Sequence, residues 1–185
     1  MRKLIVQQWT TADTIVAEED GGLSFVTASA QGDKALQDFA LTFIDTVDTM
    51  ILGANTYAMS KDYWPTATDQ GVYADKLNKL NKVVASTTLK EAPWGEYSPA
   101  TITPDPVATI RELKQQEGKD LWLWGSITLM KSLFEAGEID EVHLRVCPTT
   151  RAQGKYLFTD KQELGLLGAT PYDNGVIVLR YQVKK

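Results

Sequence analysis

Cysteine and histidine are nearly absent from this 185-residue sequence, which contains one of each, Cys147 and His143. A single cysteine excludes an internal disulfide and is typical of a reducing compartment. One histidine and one cysteine leave no zinc cluster, so we expect no metal site and a structural role for His143. Zinc-dependent base deaminases are also excluded, because their His-x-Glu and Pro-Cys-x-x-Cys motifs are missing.

Clusters of basic residues and long apolar runs are also missing. The formal net charge is −5 and the only basic doublet is Lys184-Lys185, so we expect no nucleic-acid partner. The longest apolar run, residues 121–130, is about half the length of a membrane span. The apolar residues 4–6 stop at Gln7 and form no signal-peptide core. These absences predict a cytoplasmic protein with no membrane partner.

Three glycine-containing motifs are absent as well. Without Gly-x-x-x-x-Gly-Lys-Ser/Thr there is no P-loop, and without Gly-x-Ser-x-Gly there is no nucleophile elbow of a serine hydrolase. The dinucleotide fingerprint Gly-x-Gly-x-x-Gly is also missing. Any nucleotide site must therefore be built in another way.

Short apolar runs and helical spacings alternate along the chain and indicate an α/β fold. The apolar runs predict buried strands at residues 4–6, 50–52, 83–85 and 121–124. The helical spacings predict helices over residues 33–47 and 55–63, around 77–80, and after Asp105-Pro106 and Ser126. Asp33 and Asp105 are predicted to cap the helices that follow them.

The C-terminal part of the sequence has the pattern of an antiparallel pair. Apolar residues alternate with polar ones over residues 142–147, which predicts a half-buried strand. Asn174-Gly175 separates two strand-like runs, around residues 164–170 and 176–183, and predicts a hairpin. The whole pattern predicts one domain over residues 1–185, with a mixed, mostly parallel sheet, helices on both faces and an antiparallel C-terminal hairpin.

Small residues follow three of the predicted strands directly. Free backbone amides and hydroxyls at such strand ends can hold a phosphate. Each set alone could be a helix cap, but three sets in one sheet favour a dinucleotide cofactor. The candidate cofactor-binding residues are Gly53, Asn55 and Thr56 after one strand, Ser86 and Thr87 after the next, and Gly125, Ser126, Ile127, Thr128 and Leu129 after the last.

The order of several motifs resembles the dihydrofolate-reductase-like superfamily. The closest resemblance is to the reductase domain of the bifunctional riboflavin-biosynthesis deaminase-reductase, and it covers about residues 3–183. The segments that carry it are Thr10-Thr11-Ala12-Asp13, Leu52-Gly53-Ala54-Asn55-Thr56-Tyr57, residues 82–89, Trp124-Gly125-Ser126-Ile127-Thr128-Leu129, residues 133–141, Pro148 and residues 154–158.

This resemblance implies a three-layer α/β/α fold and an NADPH-dependent (or NADH-dependent) oxidoreductase that forms a homodimer. The substrate would be a small heterocycle, a pterin or a ribosylaminopyrimidine of the riboflavin pathway. The residues after the second and third strands would lie on the adenosine side of the cofactor, and residues 125–129 would surround the pyrophosphate.

The sequence departs from the family pattern at three places. Thr14 stands where a glycine is usual after Asp13, Ala54 stands where an arginine is usual, and the glycine-rich segment before Gly154 is thinner. The substrate and the choice between NADPH and NADH therefore stay open. A non-catalytic nucleotide- or ligand-binding domain on the same scaffold is the alternative.

Asp13 is the candidate catalytic residue, since a carboxylate after the first strand could orient the substrate or assist proton delivery; the alternative is a turn residue. Asp38 is a weaker acidic candidate, on a predicted helix. Aromatic rings could form the walls of a pocket for a flat ring; core packing is the simpler explanation for each of them except Trp124, which stands beside Gly125. The candidate substrate-binding residues are Trp9, Thr11, Tyr57, Trp64 and Trp124.

Overall fold

The computed structural model of the protein describes residues 1–30 and 32–184. Within these residues the strands are β1 (Leu4–Thr11), β2 (Ile15–Ala17), β3 (Val47–Gly53), β4 (Asn81–Ala85), β5 (Thr101–Thr103), β6 (Asp120–Gly125), β7 (Glu141–Cys147), β8 (Lys155–Tyr156), β9 (Leu164–Pro171) and β10 (Ile177–Val183). The α-helices are α1 (Ser24–Ala30), α2 (Lys34–Ile44), α3 (Ala54–Ser60), α4 (Gly71–Lys79), α5 (Pro106–Gln115) and α6 (Ile127–Glu135). Two short 3-10 helices, Trp64–Thr66 and Thr68–Gln70, precede α4. Over the described ranges, no helix is long and apolar enough to cross a membrane.

Eight of these strands form one sheet in the order β5-β4-β3-β6-β1-β7-β10-β9. Neighbouring strands from β5 to β7 are parallel, whereas β10 is antiparallel to both β7 and β9. β2 pairs with β8 in a separate two-stranded sheet. The predicted α/β class, with a mostly parallel sheet and an antiparallel C-terminal hairpin, is confirmed.

Helices cover both faces of the large sheet because successive residues of each buried strand point to opposite faces. Leu4 packs in the cluster that contains Ile110 of α5 and Leu133 of α6. The next residue, Ile5, packs in the opposite cluster with Phe43 of α2 and residues of α3 and α4. The chain therefore forms three layers, with the sheet in the middle.

Two of the helix starts follow directly from the sequence. The Asp33 carboxylate accepts a hydrogen bond from the Leu36 amide at 2.9 Å, and the Asp105 carboxylate accepts one from the Ala108 amide at 3.0 Å. Each carboxylate thereby satisfies an amide that has no acceptor within its helix. Both predicted caps are confirmed.

The prediction of a half-buried strand over residues 142–147 is wrong, because both faces of β7 are covered. His143, Arg145 and Cys147 are only 5%, 6% and 0% exposed. The ring of Phe43, from α2, packs edge-on against His143 with 5.7 Å between centroids. An alternating pattern normally indicates a solvent-exposed face, but here the polar side chains point into the interior.

The shortest elements have no signal in the sequence. β2, β5 and β8 have three residues or fewer, which is too short for a periodic pattern, and α1 has seven. The predicted helix over 33–47 ends earlier, at Ile44, because Val47 already begins β3. These differences lie at element ends and in connections, where local patterns specify least.

A buried lysine fixes the N-terminal ends of β1 and β7 relative to α5. Lys114 is 4% exposed, and its ammonium lies 2.6 Å from a carboxylate oxygen of Asp140 and donates to the Glu138 carbonyl at 2.5 Å. The Asp140 carboxylate also accepts from the Leu4 amide at 2.8 Å. This cluster therefore connects helix α5 to the N-terminal ends of β1 and β7.

Replacing this lysine should destabilise the fold. Lys114→Met removes the ammonium that lies against the partly buried Asp140 carboxylate and the Glu138 carbonyl, so we expect the free energy of unfolding in urea to fall by about 3 kcal/mol. The matched control is Lys34→Met, which breaks the exposed pair with Asp38 and should cost less than about 0.5 kcal/mol. Equal losses in the two variants would contradict this account of Lys114.

Candidate active site

The three strand ends predicted to hold a cofactor lie side by side. β3 is the central strand of the three, with β4 on one side and β6 on the other. Gly53 pairs with Ala85 of β4, and Leu52 pairs with Gly125 of β6. Parallel strands bring their carboxyl ends to one edge, where ligands of open α/β sheets bind. We call residues 53–56, 86–87 and 125–129 the strand-end site.

The glycines of the strand-end site allow a close approach between β3 and β6. A Cβ on Gly53 would lie 2.6 Å from the Ser126 hydroxyl oxygen, which is too close for any real side chain. Gly125 has a φ of +141°, and a Cβ there would lie 3.1 Å from the Thr56 hydroxyl oxygen. Both positions favour glycine, because a side chain there would meet Ser126 or Thr56.

Helix α6 presents the backbone amides of its first turn at this edge. The Ser126 hydroxyl caps the helix by accepting from the Leu129 amide at 3.3 Å. The amides of Ile127 and Thr128 have no acceptor within the helix, because they precede its first intrahelical bond. Such an end carries a partial positive charge and suits a phosphate.

The loop after β4 has a different local structure. The Ser86 hydroxyl accepts from the amides of Thr88 at 3.2 Å and Leu89 at 3.1 Å, so its oxygen organises the turn. Thr87 and Asn55 are both exposed at the same edge of the sheet. These two side chains are therefore free to contact a ligand.

A cavity of about 510 Å³ lies on the α2 and α4 side of the sheet. We call it the aromatic cavity. Its lining residues come from β1, β6, β7, α1, α2 and the segment from the first 3-10 helix to α4. They are Gln7, Trp9, Val26, Ala30, Leu36, Gln37, Ala40, Leu41, Trp64, Asp69, Gln70, Val72, Tyr73, Trp122, Trp124 and Arg145.

Tryptophans form one wall of the aromatic cavity. The rings of Trp122 and Trp124 stack with 5.2 Å between centroids and 20° between planes. Trp64 contacts Trp124 at 5.2 Å. Trp124 directly precedes Gly125, so this wall adjoins the strand-end site. Flat rings of this kind bind a planar ligand by stacking.

Three of the five predicted substrate residues, Trp9, Trp64 and Trp124, line the aromatic cavity. Tyr57 does not: it is 3% exposed, and its hydroxyl donates to the Pro93 carbonyl at 2.8 Å. Thr11 is fully buried and its hydroxyl accepts from the Ile15 amide at 3.0 Å. The last two side chains are used within the fold.

Sequence reasoning missed Gln7, Trp122 and Arg145, which also line the cavity. Gln7 lies two residues before Trp9, and Trp122 lies two residues before Trp124. Since side chains alternate between the faces of a strand, each pair shares a face. This spacing was the available signal, but it indicates a shared face only once the strand bounds are known.

Asp13 connects two loops at the carboxyl edge of the sheet. Its carboxylate accepts from the amides of Arg151 at 3.1 Å and Ala152 at 2.8 Å, and from the Thr11 hydroxyl. These hydrogen bonds, first of all that from Thr11, lower the pKa of Asp13. The carboxylate is therefore ionised at neutral pH and already engaged by the protein.

Asp38 lies outside the cavity. Its side chain is 57% exposed and forms an ion pair with Lys34 at 2.6 Å, one turn earlier on α2. The residues of this helix that line the cavity are Leu36, Gln37, Ala40 and Leu41. Helix α2 thus contributes no carboxylate to the cavity wall.

Comparison with known proteins relates this geometry to one family. The sequence profile described as "RibD C-terminal domain" matches residues 2–178. The uncharacterized protein YyaP of Bacillus subtilis (strain 168) is 24% identical over an alignment of 186 positions, which covers 97% of this chain and 94% of that protein.

Solved structures show the same fold at low identity. A putative riboflavin biosynthesis protein from Shewanella sp. PV-4 has a TM-score of 0.76 and 19% identity, with 99% of both chains covered. Dihydrofolate reductase from Enterococcus faecalis, solved with NADP(H), has a TM-score of 0.65 and 13% identity, covering 99% of this chain and 97% of that one. The dihydrofolate-reductase-like fold expected from the motifs is confirmed.

The contact between Gly53 and Ser126 can be tested by a double-mutant cycle. Gly53→Ala should reduce the free energy of unfolding by about 1–3 kcal/mol, because the added methyl overpacks the strand ends. Ser126→Gly removes the atoms that it meets, so the double variant Gly53→Ala/Ser126→Gly should be more stable than the sum of the single effects predicts.

The control for this cycle is Gly165→Ala on β9, where a Cβ would have only ordinary contacts, the nearest atom being 3.5 Å away. We expect its effect in the same urea titrations to stay below about 1 kcal/mol. Strict additivity of the two strand-end substitutions would show that Gly53 is not limited by Ser126.

Proposed function

The chain belongs to the RibD C-terminal domain family, and from this premise we propose that it is an NAD(P)H-dependent reductase. It transfers a hydride to a small heterocycle, of the pterin or ribosylaminopyrimidine type. The observation that carries the proposal is the adjacency of two sites: the strand-end site and the aromatic cavity meet at Trp124 and Gly125.

The residues of the strand-end site fit a dinucleotide. Gly125 and residues 126–129 would hold the pyrophosphate, because backbone amides without an intrahelical acceptor at the start of α6 suit anionic oxygens. Gly53, Asn55, Thr56, Ser86 and Thr87 would lie along the adenosine side. When bound, the reduced nicotinamide supplies the hydride.

The chain's own residues position the substrate and exclude water. Trp64, Trp122 and Trp124 stack around a planar ring, and Trp9 closes the β1 side of the cavity. Holding the ring in one orientation beside the cofactor lowers the barrier by removing the entropy of a free encounter. Since Asp13 is already ionised and hydrogen-bonded, its proposed role is to hold the loop after β1 at the substrate edge.

One observation favours the alternative of a non-catalytic ligand-binding domain. The engaged, ionised carboxylate of Asp13 is unsuited to donate a proton at neutral pH. A binding domain would retain cofactor affinity and show no substrate-dependent oxidation of NADPH. Titration with NADPH, together with an assay of NADPH oxidation in the presence of a candidate substrate, therefore separates the two functions.

We also propose a cytoplasmic homodimer. Cys147 is a buried free thiol, which suits a reducing compartment. On the last hairpin, Leu166, Leu167 and Ile177 are 63%, 47% and 40% exposed. Exposed apolar side chains grouped on one hairpin support a second copy as their partner.

The proposed cofactor site is tested by adding a charge to the start of α6. Thr128→Glu places a carboxylate beside the expected phosphates, and like charges about 5 Å apart repel by about 3 kcal/mol at an effective dielectric constant of about 20. We expect NADPH affinity, measured by calorimetry, to fall at least tenfold. A glutamate in the first turn favours the helix, so the variant should fold.

The matched control is Ser132→Glu, one turn further along α6, where the side chain is also exposed. It should change NADPH affinity by less than about threefold. If Thr128→Glu and Ser132→Glu bind NADPH equally well, the cofactor does not lie on this helix end.

Cofactor preference should depend on Ala54. This residue begins α3, and alanine offers no charge to a 2′-phosphate. At the other end of α3, the Lys61 ammonium donates to both carboxylate oxygens of Asp62, at 2.7 and 2.8 Å. We therefore expect wild-type protein to favour NADPH over NADH by less than about tenfold. Ala54→Arg should increase the preference at least tenfold, because charge-assisted hydrogen bonds contribute about 1.5–3 kcal/mol.

The control for this variant is Ala58→Arg, on the next turn of α3, which should leave the ratio of the two affinities unchanged. Titrations of both cofactors against the three proteins decide the matter. A wild-type preference above about a hundredfold would mean that another cation binds the 2′-phosphate.

A further inference from the structure

Three buried hydrogen-bond donors, on side chains that line the aromatic cavity, have no hydrogen-bond partner among residues 1–30 and 32–184. They are the side-chain amide nitrogen of Gln7, the indole nitrogen of Trp122 and the Nε of Arg145. Gln7 and Arg145 are each 6% exposed, and Trp122 is 1% exposed. Buried polar groups are almost always hydrogen-bonded, so three unpaired donors in the lining of one cavity indicate an acceptor supplied by a ligand.

The charge of Arg145 strengthens this indication. One guanidinium nitrogen, Nη2, donates to the Gln7 side-chain oxygen at 2.6 Å. The guanidinium also lies 5.1 Å from the Trp9 ring centroid and 5.7 Å from that of Phe39. Residues 1–30 and 32–184 place no carboxylate within ion-pair distance of it. A buried cation without an anion is costly, and contacts with aromatic rings offset only part of that cost.

The rest of the cavity wall carries little charge. From α2 it receives Leu36, Gln37 and Leu41, while Asp38 faces away and pairs with Lys34. Among the described lining residues the one carboxylate is Asp69, which is exposed and accepts from the Gln70 side chain at 2.7 Å. The buried part of the cavity therefore combines stacking surfaces with a set of donors.

We propose that Gln7, Trp122 and Arg145 bind a carboxylate, and that the cavity takes a flat aromatic ring bearing that group. A carboxylate has two oxygens and about four lone-pair positions, enough to accept from all three side chains. A guanidinium is the usual partner for such a group because its donors form a planar fork. This inference rests on the proposed function, since it takes the aromatic cavity as the substrate site.

The test is a series of three ligands with the same ring and different charge. Naphthalene-2-carboxylate, naphthalene-2-carboxamide and naphthalen-2-ylmethanamine are titrated into wild-type protein by calorimetry near neutral pH. We expect the carboxylate to bind at least tenfold more tightly than the amide, and the cationic amine to bind most weakly. Equal affinities for carboxylate and amide, or the amine as the tightest ligand, would overturn the proposal.

Substitution of the donors should abolish this preference. Gln7→Leu/Arg145→Met replaces the polar pair by apolar side chains of similar length, and such replacements are often neutral or stabilising. We expect this double variant to melt no lower than wild-type protein and to bind carboxylate and amide with affinities within about threefold of each other. A folded double variant that keeps the full preference would place the carboxylate elsewhere.

The matched control is Arg180→Met, which removes the same charge from an exposed position on β10 outside the cavity lining. It should retain at least a tenfold preference for the carboxylate. Loss of the preference in this control would show that overall charge, not the cavity, attracts the ligand.

Titration of NADPH in the same experiments separates this inference from the proposed function. Carboxylate preference without NADPH binding would refute the reductase but support the proposed carboxylate site. NADPH binding together with a preference for the amine would refute the proposed carboxylate site and leave the reductase proposal unaffected.

Discussion

The register of β1 between β6 and β7 determines the geometry of the site. β1 pairs in parallel with both neighbours, so Val6 lies beside Leu123 and Val142. Val6 packs on the α5 and α6 side of the sheet, whereas the next residue, Gln7, lines the cavity on the other side, because successive side chains of a strand point to opposite faces. A slip of one residue would move Gln7 to the opposite face of the sheet and separate it from Arg145. The positions of Gln7 and Arg145 in the cavity therefore depend on backbone pairing that the apolar residues of β1 and its neighbours establish.

Much of the fold could be predicted from local chemistry. Asp33 and Asp105 cap the helices that they precede, and the buried strands coincide with short apolar runs, since both signals are contained within a few neighbouring residues. The strand β7 was predicted in the right place, but its burial could not be, because this depends on α2, about a hundred residues away in the sequence. A polar residue on a strand indicates solvent only if nothing packs on that face, and one sequence does not reveal what packs there.

The sequence could predict the part of the candidate site where glycines end two strands. It could not predict the part that is formed by buried polar side chains. Gly53 and Gly125 are the last residues of β3 and β6, and sheet topology alone brings them together. Arg145 carried no such signal: in the sequence it is one of the alternating polar residues of β7. Tyr57 shows the reverse case, since a tyrosine beside a predicted cofactor loop is used to pack against Trp94. The unpaired donors of Gln7 and Arg145 are visible only in the folded structure, because they depend on which hydrogen bonds the protein leaves unmade.

The contacts of Asp13 have a consequence for how this edge of the molecule can change in evolution. Loops usually vary in length independently, since each is attached only at its own ends. Here one carboxylate accepts from the backbone of the loop after β7, and a Cβ on Gly154 would lie 2.5 Å from the Ala17 carbonyl oxygen. An insertion in either loop would displace the other. The two segments should therefore lengthen or shorten together among homologues, as one unit of variation made from two distant parts of the gene.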